Sequence, residues 1–297
     1  MSSHASSKVT VAAHRSRRRN LLEWIERALL WFVVGFLLFY TLFPFYWAIV
    51  SSLKLPSDLF LTPQAYWPQP VTWANYAAVL ANENFQRALL NSTIVAAMTV
   101  LLSQMIGAVG AYALARLRFR GSNTVLYALL AMTTFPAIAI LGSLYEMIRL
   151  LRLYNTLWAL ILTYSTFTLP FTVWVLTSFF RSIPRELEEA AQVDGATPLQ
   201  TFWRILLPLA APGLVTTGLL VFIASWNEFL YALTFTIDKN ARTVPVAISQ
   251  FSGASTFELP WGSIMAASVL VTIPLIVLVL VFQRRIIAGL TAGAVKG

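Results

Sequence analysis

Glu189 to Pro208 reads EAAQVDGATPLQTFWRILLP. The stretch lies between two strongly apolar segments, which makes it a loop between membrane spans, yet it carries folding signals of its own. Pro184 fits the first turn of a short helix, where its missing N–H goes unused. Glu186, Glu188 and Glu189 follow in the early turns, where the positive end of the helix dipole favours acid. Leu187, Ala190 and Ala191 share one apolar face at i, i+3, i+4 spacing. Gly195 supplies the left-handed position at which helices commonly end. A second helix restarts at once: Thr197 with Gln200 matches a capping box, and Pro198 takes the first helical position. Leu199, Phe202, Trp203 and Leu206 repeat at i, i+3, i+4, i+7 before Pro208 closes the unit. The pattern predicts a helix–glycine–helix elbow. A helix lying on a bilayer surface would favour basic residues on its polar face; this one is acidic.

Outward from the elbow, the chain is that of a membrane protein. Of 297 residues, 58% are hydrophobic and 11% charged, against about a quarter charged in soluble domains. Six segments are long enough to cross about 30 Å of hydrocarbon: 28–52, 88–114, 124–144, 156–180, 209–233 and 263–285. Pro44, Pro136, Pro170, Pro212 and Pro274 fall in or near these spans and predict kinks. The fold class expected is all-α, with six transmembrane helices forming a domain over 28–285. Its loop at 181–208 holds the elbow. Residues 1–27 form a basic, partly disordered tail, and 286–297 a second tail.

The basic residues set an orientation. The net charge of +9 is concentrated where a positive-inside signal belongs, at Arg15, Arg17, Arg18 and Arg19 ahead of the first span. That position argues against a nucleic-acid tail. With both termini cytoplasmic, fifteen Lys and Arg fall inside and six outside, and the elbow is cytoplasmic too. The outer loop at 53–87 is rich in Pro, Trp and Tyr, which suits either an interfacial aromatic belt or the reception of a soluble protein. The loop at 234–262, with Asp238, Lys239, Arg242 and Glu258, is a second candidate for that contact.

The elbow also carries a resemblance. Glu189-Ala190-Ala191, three residues, Gly195, nine residues, then Ile205-Leu206-Leu207-Pro208 resembles the signature of the membrane-spanning permease subunits of bacterial ATP-binding-cassette importers. The end of the chain, from Arg284-Arg285 to Lys296-Gly297, is similar to the smaller permease subunit of carbohydrate importers of the maltose/trehalose type, as are Thr72, Asn75 and Tyr76. The resemblance implies a type I importer fold, a cytoplasmic-membrane location and transport of a di- or oligosaccharide by alternating access. It implies four kinds of partner besides the lipid bilayer: a second permease subunit, two ATPase subunits, an extracytoplasmic binding protein and the sugar. ATP and Mg would sit on the ATPase subunits, this chain binding no cofactor. Glu188, Glu189, Ala190, Ala191, Asp194, Gly195 and Pro208 would dock an ATPase subunit. Gly289, Thr291, Gly293 and Lys296 would reach the ATPase interface, or belong to a frayed terminus.

The remaining chemistry is sparse. No GxxxxGK[ST] motif is present, so the chain does not bind ATP through a P-loop. There is no cysteine, and His4 and His14 are the only histidines, which excludes thiol and intramembrane histidine catalysis or metal binding. Of twelve acidic residues, only Glu228 is predicted inside a span, roughly 28 Å up a continuous helix counted from Leu209. It reads as a structural or gating hydrogen-bond partner, or as a substrate contact. Trp226, Asn227 and Tyr231 join it as substrate-path candidates, the aromatic pair stacking on a sugar or anchoring at the interface. A secondary transporter or channel independent of ATP is the alternative function. It would present polar groups along several spans.

Overall fold

The computed structural model describes residues 3–117, 119–252 and 259–294, with side chains described over 23–117, 119–252 and 259–283. The elements in order are α1 (Ser3–Ser52), a 3-10 turn (Pro56–Asp58), α2 (Ala74–Ala81), α3 (Glu83–Arg116), α4 (Ser122–Thr133), α5 (Ala137–Leu150) and α6 (Leu157–Ser182). There follow α7 (Glu186–Val193), α8 (Pro198–Thr201), a π-helical turn (Phe202–Leu206), α9 (Leu207–Leu209) and α10 (Ala211–Trp226). The last are α11 (Leu230–Phe235), α12 (Val244–Ser249) and α13 (Trp261–Ala294). Among the described residues there is no strand.

Four helical segments are long and apolar enough to span a membrane alone: Glu23–Ser52, Glu83–Arg116, Leu157–Ser182 and Trp261–Gln283. The other two expected spans are bent. The span predicted over 124–144 is α4 and α5, set at 96° to each other. The break is at Pro136, which lacks an N–H and forces the preceding residue out of the helical region. The span predicted over 209–233 is also interrupted: α10 ends at Trp226 and α11 starts at Leu230, while at its other end α10 meets the Pro198–Leu209 helix of the elbow at 72°. Four helices span alone, and counting each bent pair as one span gives six in all.

Helix α3 is the axis of the bundle. Its 34 residues make it about 50 Å long at 1.5 Å per residue. It packs on α6 through small and hydroxylated residues. The Ser103 and Thr168 hydroxyls share a hydrogen bond of 2.8 Å, and a Cβ on Gly107 would lie 2.7 Å from Thr172 Cγ2. Without a hydrophobic driving force between helices in lipid, such close approach and interhelical hydrogen bonding hold spans together. Gln104 extends the pattern to α10, its Nε2 donating at 2.8 Å to both the Leu214 carbonyl and Thr217 Oγ1. Helix α1 differs: from Trp24 to Ile49 large apolar side chains are exposed on every face, as befits a helix whose solvent is lipid or another membrane chain.

Three buried clusters lie along α3. The one at the start of α3 joins Val79, Phe85, Ala88, Val244, Ala247, Ala266 and Ala267. The middle one centres on Tyr164, Leu160, Tyr231 and Phe235. The third holds Ala108, Ala111, Leu126, Leu176, Phe180, Phe202 and Leu206 beneath the elbow. At the end of α3 away from the elbow, Asn75 explains the motif around it: its Nδ2 donates to the carbonyls of Ser52 at 2.9 Å and Lys54 at 3.0 Å, closing the end of α1. Tyr76 shares a hydrogen bond of 2.7 Å with Ser52. Asn91 likewise ties down the loop between α11 and α12 through the Lys239 and Arg242 carbonyls, at 3.2 and 2.9 Å.

Both termini depart from the expected tails. The basic segment is the start of α1, which begins at Ser3; it lacks apolar periodicity, but its Ala and Arg are good helix formers. At the other end α13 continues to Ala294, so Gly289, Thr291 and Gly293 continue the helix. Lys296 and Glu258 lie outside the described residues.

Candidate functional site

Helix α7 starts as its acidic first turn dictates, with Glu186, Glu188 and Glu189 at its N-terminal end. Its end is a Schellman motif: the Ala196 N–H donates to the Ala191 carbonyl at 2.9 Å and the Gly195 N–H to Gln192 at 3.0 Å. Gly195 has φ 81°, a conformation open to glycine without a Cβ penalty. The capping box follows, Gln200 N–H donating to Thr197 Oγ1 at 3.3 Å and Thr197 N–H to Gln200 Oε1 at 2.9 Å.

Beyond α8 the chain departs from a regular helix. The turn at Phe202–Leu206 is π-helical, the Leu207 N–H reaching back to the Phe202 carbonyl, and Pro208 supplies no N–H to restore α-helical pairing. The extra residue turns Phe202 and Leu206 into the core while Leu199 and Trp203 stay 67% and 52% exposed. These four were predicted on one face, and the wide turn is what separates them. Nor does Pro208 close the unit, since α9 runs through it to Leu209.

The docking candidates divide in two. Glu189, Ala190, Asp194, Gly195 and Pro208 are exposed, whereas Ala191 is buried and Glu188 half-buried. Leu187 and Ala190 do not share the inward face expected with Ala191; Glu188 takes it. Its Oε1 lies 2.6 Å from Arg116 Nε at the end of α3. The same guanidinium donates to the Ile183 carbonyl at 2.6 Å. Behind the pair, Tyr112 packs on Phe202 and Phe180, with ring centroids 5.0 and 6.2 Å apart.

What the elbow turns outward is apolar as well as acidic. Val193 is 87% exposed, and Leu187, Leu199 and Trp203 stand out with it. Large apolar side chains grouped on an exposed surface beside an acidic helix mark an interaction surface. The hydrophobic repeat hid Leu199 and Trp203, which read as part of a buried face until the π turn at Phe202–Leu206 is known.

The second candidate region lies where the two bent spans meet. A cavity of about 550 Å³ is lined by Phe135, Ala137 and Ile140 at the α4–α5 break, by Thr166 and Phe167 of α6, and by Ala224, Glu228 and Tyr231. Glu228 does not sit on a continuous helix. It lies in the gap after α10 and caps α11, its two carboxylate oxygens accepting from the Tyr231 N–H at 2.8 Å and the Ala232 N–H at 3.1 Å. Tyr231 stacks on Phe167 at 6.3 Å and donates to the Ala137 carbonyl at 3.2 Å. Trp226 is buried against Phe222, 5.5 Å between ring centroids, so it neither anchors at an interface nor faces the cavity. Asn227 is exposed and donates to the Ile223 carbonyl at 2.9 Å. Among the described residues no cluster of three His, Cys, Asp or Glu side chains could hold a metal.

A bundle of six spans with a structured, outward-facing elbow defines a transporter's membrane component, and the comparisons agree. Residues 105–291, more than half of the chain, match the family described as binding-protein-dependent transport system inner membrane component, and the chain belongs to that family. It is 46% identical over 273 residues to the trehalose transport system permease protein SugB of Mycobacterium tuberculosis (strain CDC 1551 / Oshkosh), covering 92% of this chain and 99% of the relative. It is 43% identical over 279 residues to the trehalose/maltose transport system permease protein MalG of Thermococcus litoralis (strain ATCC 51850 / DSM 5473 / JCM 8560 / NS-C), covering 93% and 99%. The fold is shared with a chain of a bacterial ABC transporter involved in the import of alginate, with TM-score 0.75 at 22% identity over 88% of this chain and 96% of that one.

Proposed function

We propose that this chain is the sugar-translocating subunit of an ATP-driven importer, working with a second permease, two ATPase subunits and an extracytoplasmic binding protein. The observation that carries the proposal is the elbow: a short acidic helix with exposed apolar neighbours, anchored to the spans on one face and free on the other. Such a surface needs a partner, and a chain without a P-loop needs its energy from one. Relatives that carry trehalose and maltose make a disaccharide of that kind the substrate class.

ATP binding on the partner subunits would displace α7, and the capped elbow would pass the movement to α3, α6 and α10. The ATP-bound and ATP-free states must differ in their affinity for the two arrangements, or nothing moves. Both termini and the elbow lie in the cytoplasm in this reading, ATP and Mg stay on the ATPase subunits, and this chain carries out no catalysis. The cavity at the paired breaks, with Tyr231, Phe167 and the carboxylate of Glu228, lies on the substrate path. Broken helices at membrane depth are tolerated where they line a cavity.

The test is uptake of radiolabelled trehalose or maltose by proteoliposomes holding the whole complex. Uptake that requires both ATP and the binding protein is expected. Uptake driven by an ion gradient in the absence of ATP would favour a secondary transporter and overturn the proposal.

A further inference from the structure

Arg116 ends α3 with its side chain 5% exposed, 2.6 Å from a Glu188 side chain that is 14% exposed. The Nε–H is not aligned on the carboxylate oxygen for a hydrogen bond, so the contact is held by charge and leaves the relative orientation of the two groups adjustable. Apart from Ala191, no other α7 residue is buried. Among the described residues, Arg116 is the only guanidinium paired with Glu188: Arg181 donates to Asn123 Oδ1 at 3.0 Å, and Arg185 is exposed.

We infer that Arg116 is a positioning residue for transport, tying the docking helix α7 to α3 through Glu188 so that displacement of α7 becomes displacement of a membrane-crossing helix. This role rests on the importer function proposed above, which itself assigns nothing to Arg116. Separating the pair would strand two charges in a site of low dielectric, so the energetically easier course is for α3 to follow. Its far end is equally engaged: Phe85 packs on Phe251 at 6.2 Å, and Asn91 holds the Lys239–Arg242 loop. A shift of α3 at the elbow thus reaches the outer loops.

The experiment uses the whole complex in proteoliposomes, carrying Glu188→Gln, Arg116→Glu or the exchanged pair Arg116→Glu/Glu188→Arg. Trehalose taken up per ATP hydrolysed should fall about tenfold in each single variant, a usual size for coupling between sites, with the ATPase subunit still co-purifying, and should recover in the exchanged pair. A reporter independent of the sugar uses the absence of native cysteine: thiol labelling of Glu83→Cys, exposed at the outer end of α3, should change rate when nucleotide is trapped and stop doing so when Glu188→Gln is added. Four results would overturn the inference: unchanged uptake per ATP with unchanged labelling, loss of the ATPase subunit, no recovery in the exchanged pair, or failure of the single variants to accumulate. The last would mean that the pair holds the fold and does not transmit movement. A wild-type complex that takes up no trehalose in the presence of ATP would count against the function proposed above, and the labelling would still decide the role of the pair.

Discussion

At Gly195 the chain leaves one helix and begins another using only local bonds. The Schellman pair closes α7 and the Thr197–Gln200 box opens α8, every partner lying within a few residues. At Asn227–Phe229 the same backbone problem is solved differently. The Glu228 carboxylate accepts from the Tyr231 and Ala232 N–H groups of α11, and the turn is then fixed by distant contacts, the Tyr231 ring on Phe167 and its hydroxyl on Ala137. The first break is largely exposed, so solvent can replace a lost partner. The second faces a cavity among the spans, where a lost acceptor is replaced less readily. A local break at a surface suits a joint that must move as a unit; a break closed at long range suits a place where several spans must move together.

That contrast sets the order of the expected effects. Glu228→Ala should be the most damaging, lowering stability by about 3 kcal/mol because two charge-assisted hydrogen bonds are lost and two amide donors left bare. Thermal unfolding in detergent checks this, and Glu228→Gln, which keeps one acceptor, should cost less. If the two variants behave alike, the carboxylate is not acting as a cap. Gly195→Val should cost about 2 kcal/mol, the penalty of a side chain in the left-handed region, since nothing lies within 4 Å of the added Cβ to clash with it. A much larger loss would show that the elbow is packed more tightly than its open surroundings imply. Thr197→Ala should cost about 1 kcal/mol, the usual effect of losing an N-cap, and leave membrane accumulation unchanged on an immunoblot.

The smallest effect is in the loop between α11 and α12. The Asn240 N–H and the Asn155 side-chain amide donate to the Asp238 carboxylate at 2.9 and 3.1 Å and hold its pKa below the usual aspartate value. The stabilisation from this ionised form is complete above the usual aspartate range and is lost as the pH falls through the lowered folded value. Amide exchange at Asn240, corrected for its intrinsic pH dependence, should therefore quicken only at strongly acid pH, and Asn155→Ala should move the onset upward.

The same contrast explains what was legible in the sequence. Every signal at Gly195 lies within the stretch that encodes it: an acidic first turn, a glycine, a capping box with proline at the first helical position. Those features appear in the structure at the residues that carry them. The π turn was hidden because hydrophobic spacing assumes a fixed number of residues per turn, and Phe202, Trp203 and Leu206 part company once one turn is widened. Glu188 was hidden for a related reason. An acid in a first turn is explained by the helix dipole alone, and its partner, Arg116, lies at the end of a different span. The bend at Pro136 was legible as a kink but not as a 96° turn, because the angle depends on what α5 packs against. The gap at Glu228 carries neither glycine nor proline, so hydropathy ran straight through it.

The central claim, that the elbow is where an ATPase subunit docks, is tested most directly by cross-linking in a chain that has no cysteine of its own. A single cysteine at Val193, 87% exposed on the elbow, should cross-link to the co-purified ATPase subunit, while one at Phe60, 67% exposed in the loop after α1, should not. A cross-link from position 60 with none from position 193 would contradict the account.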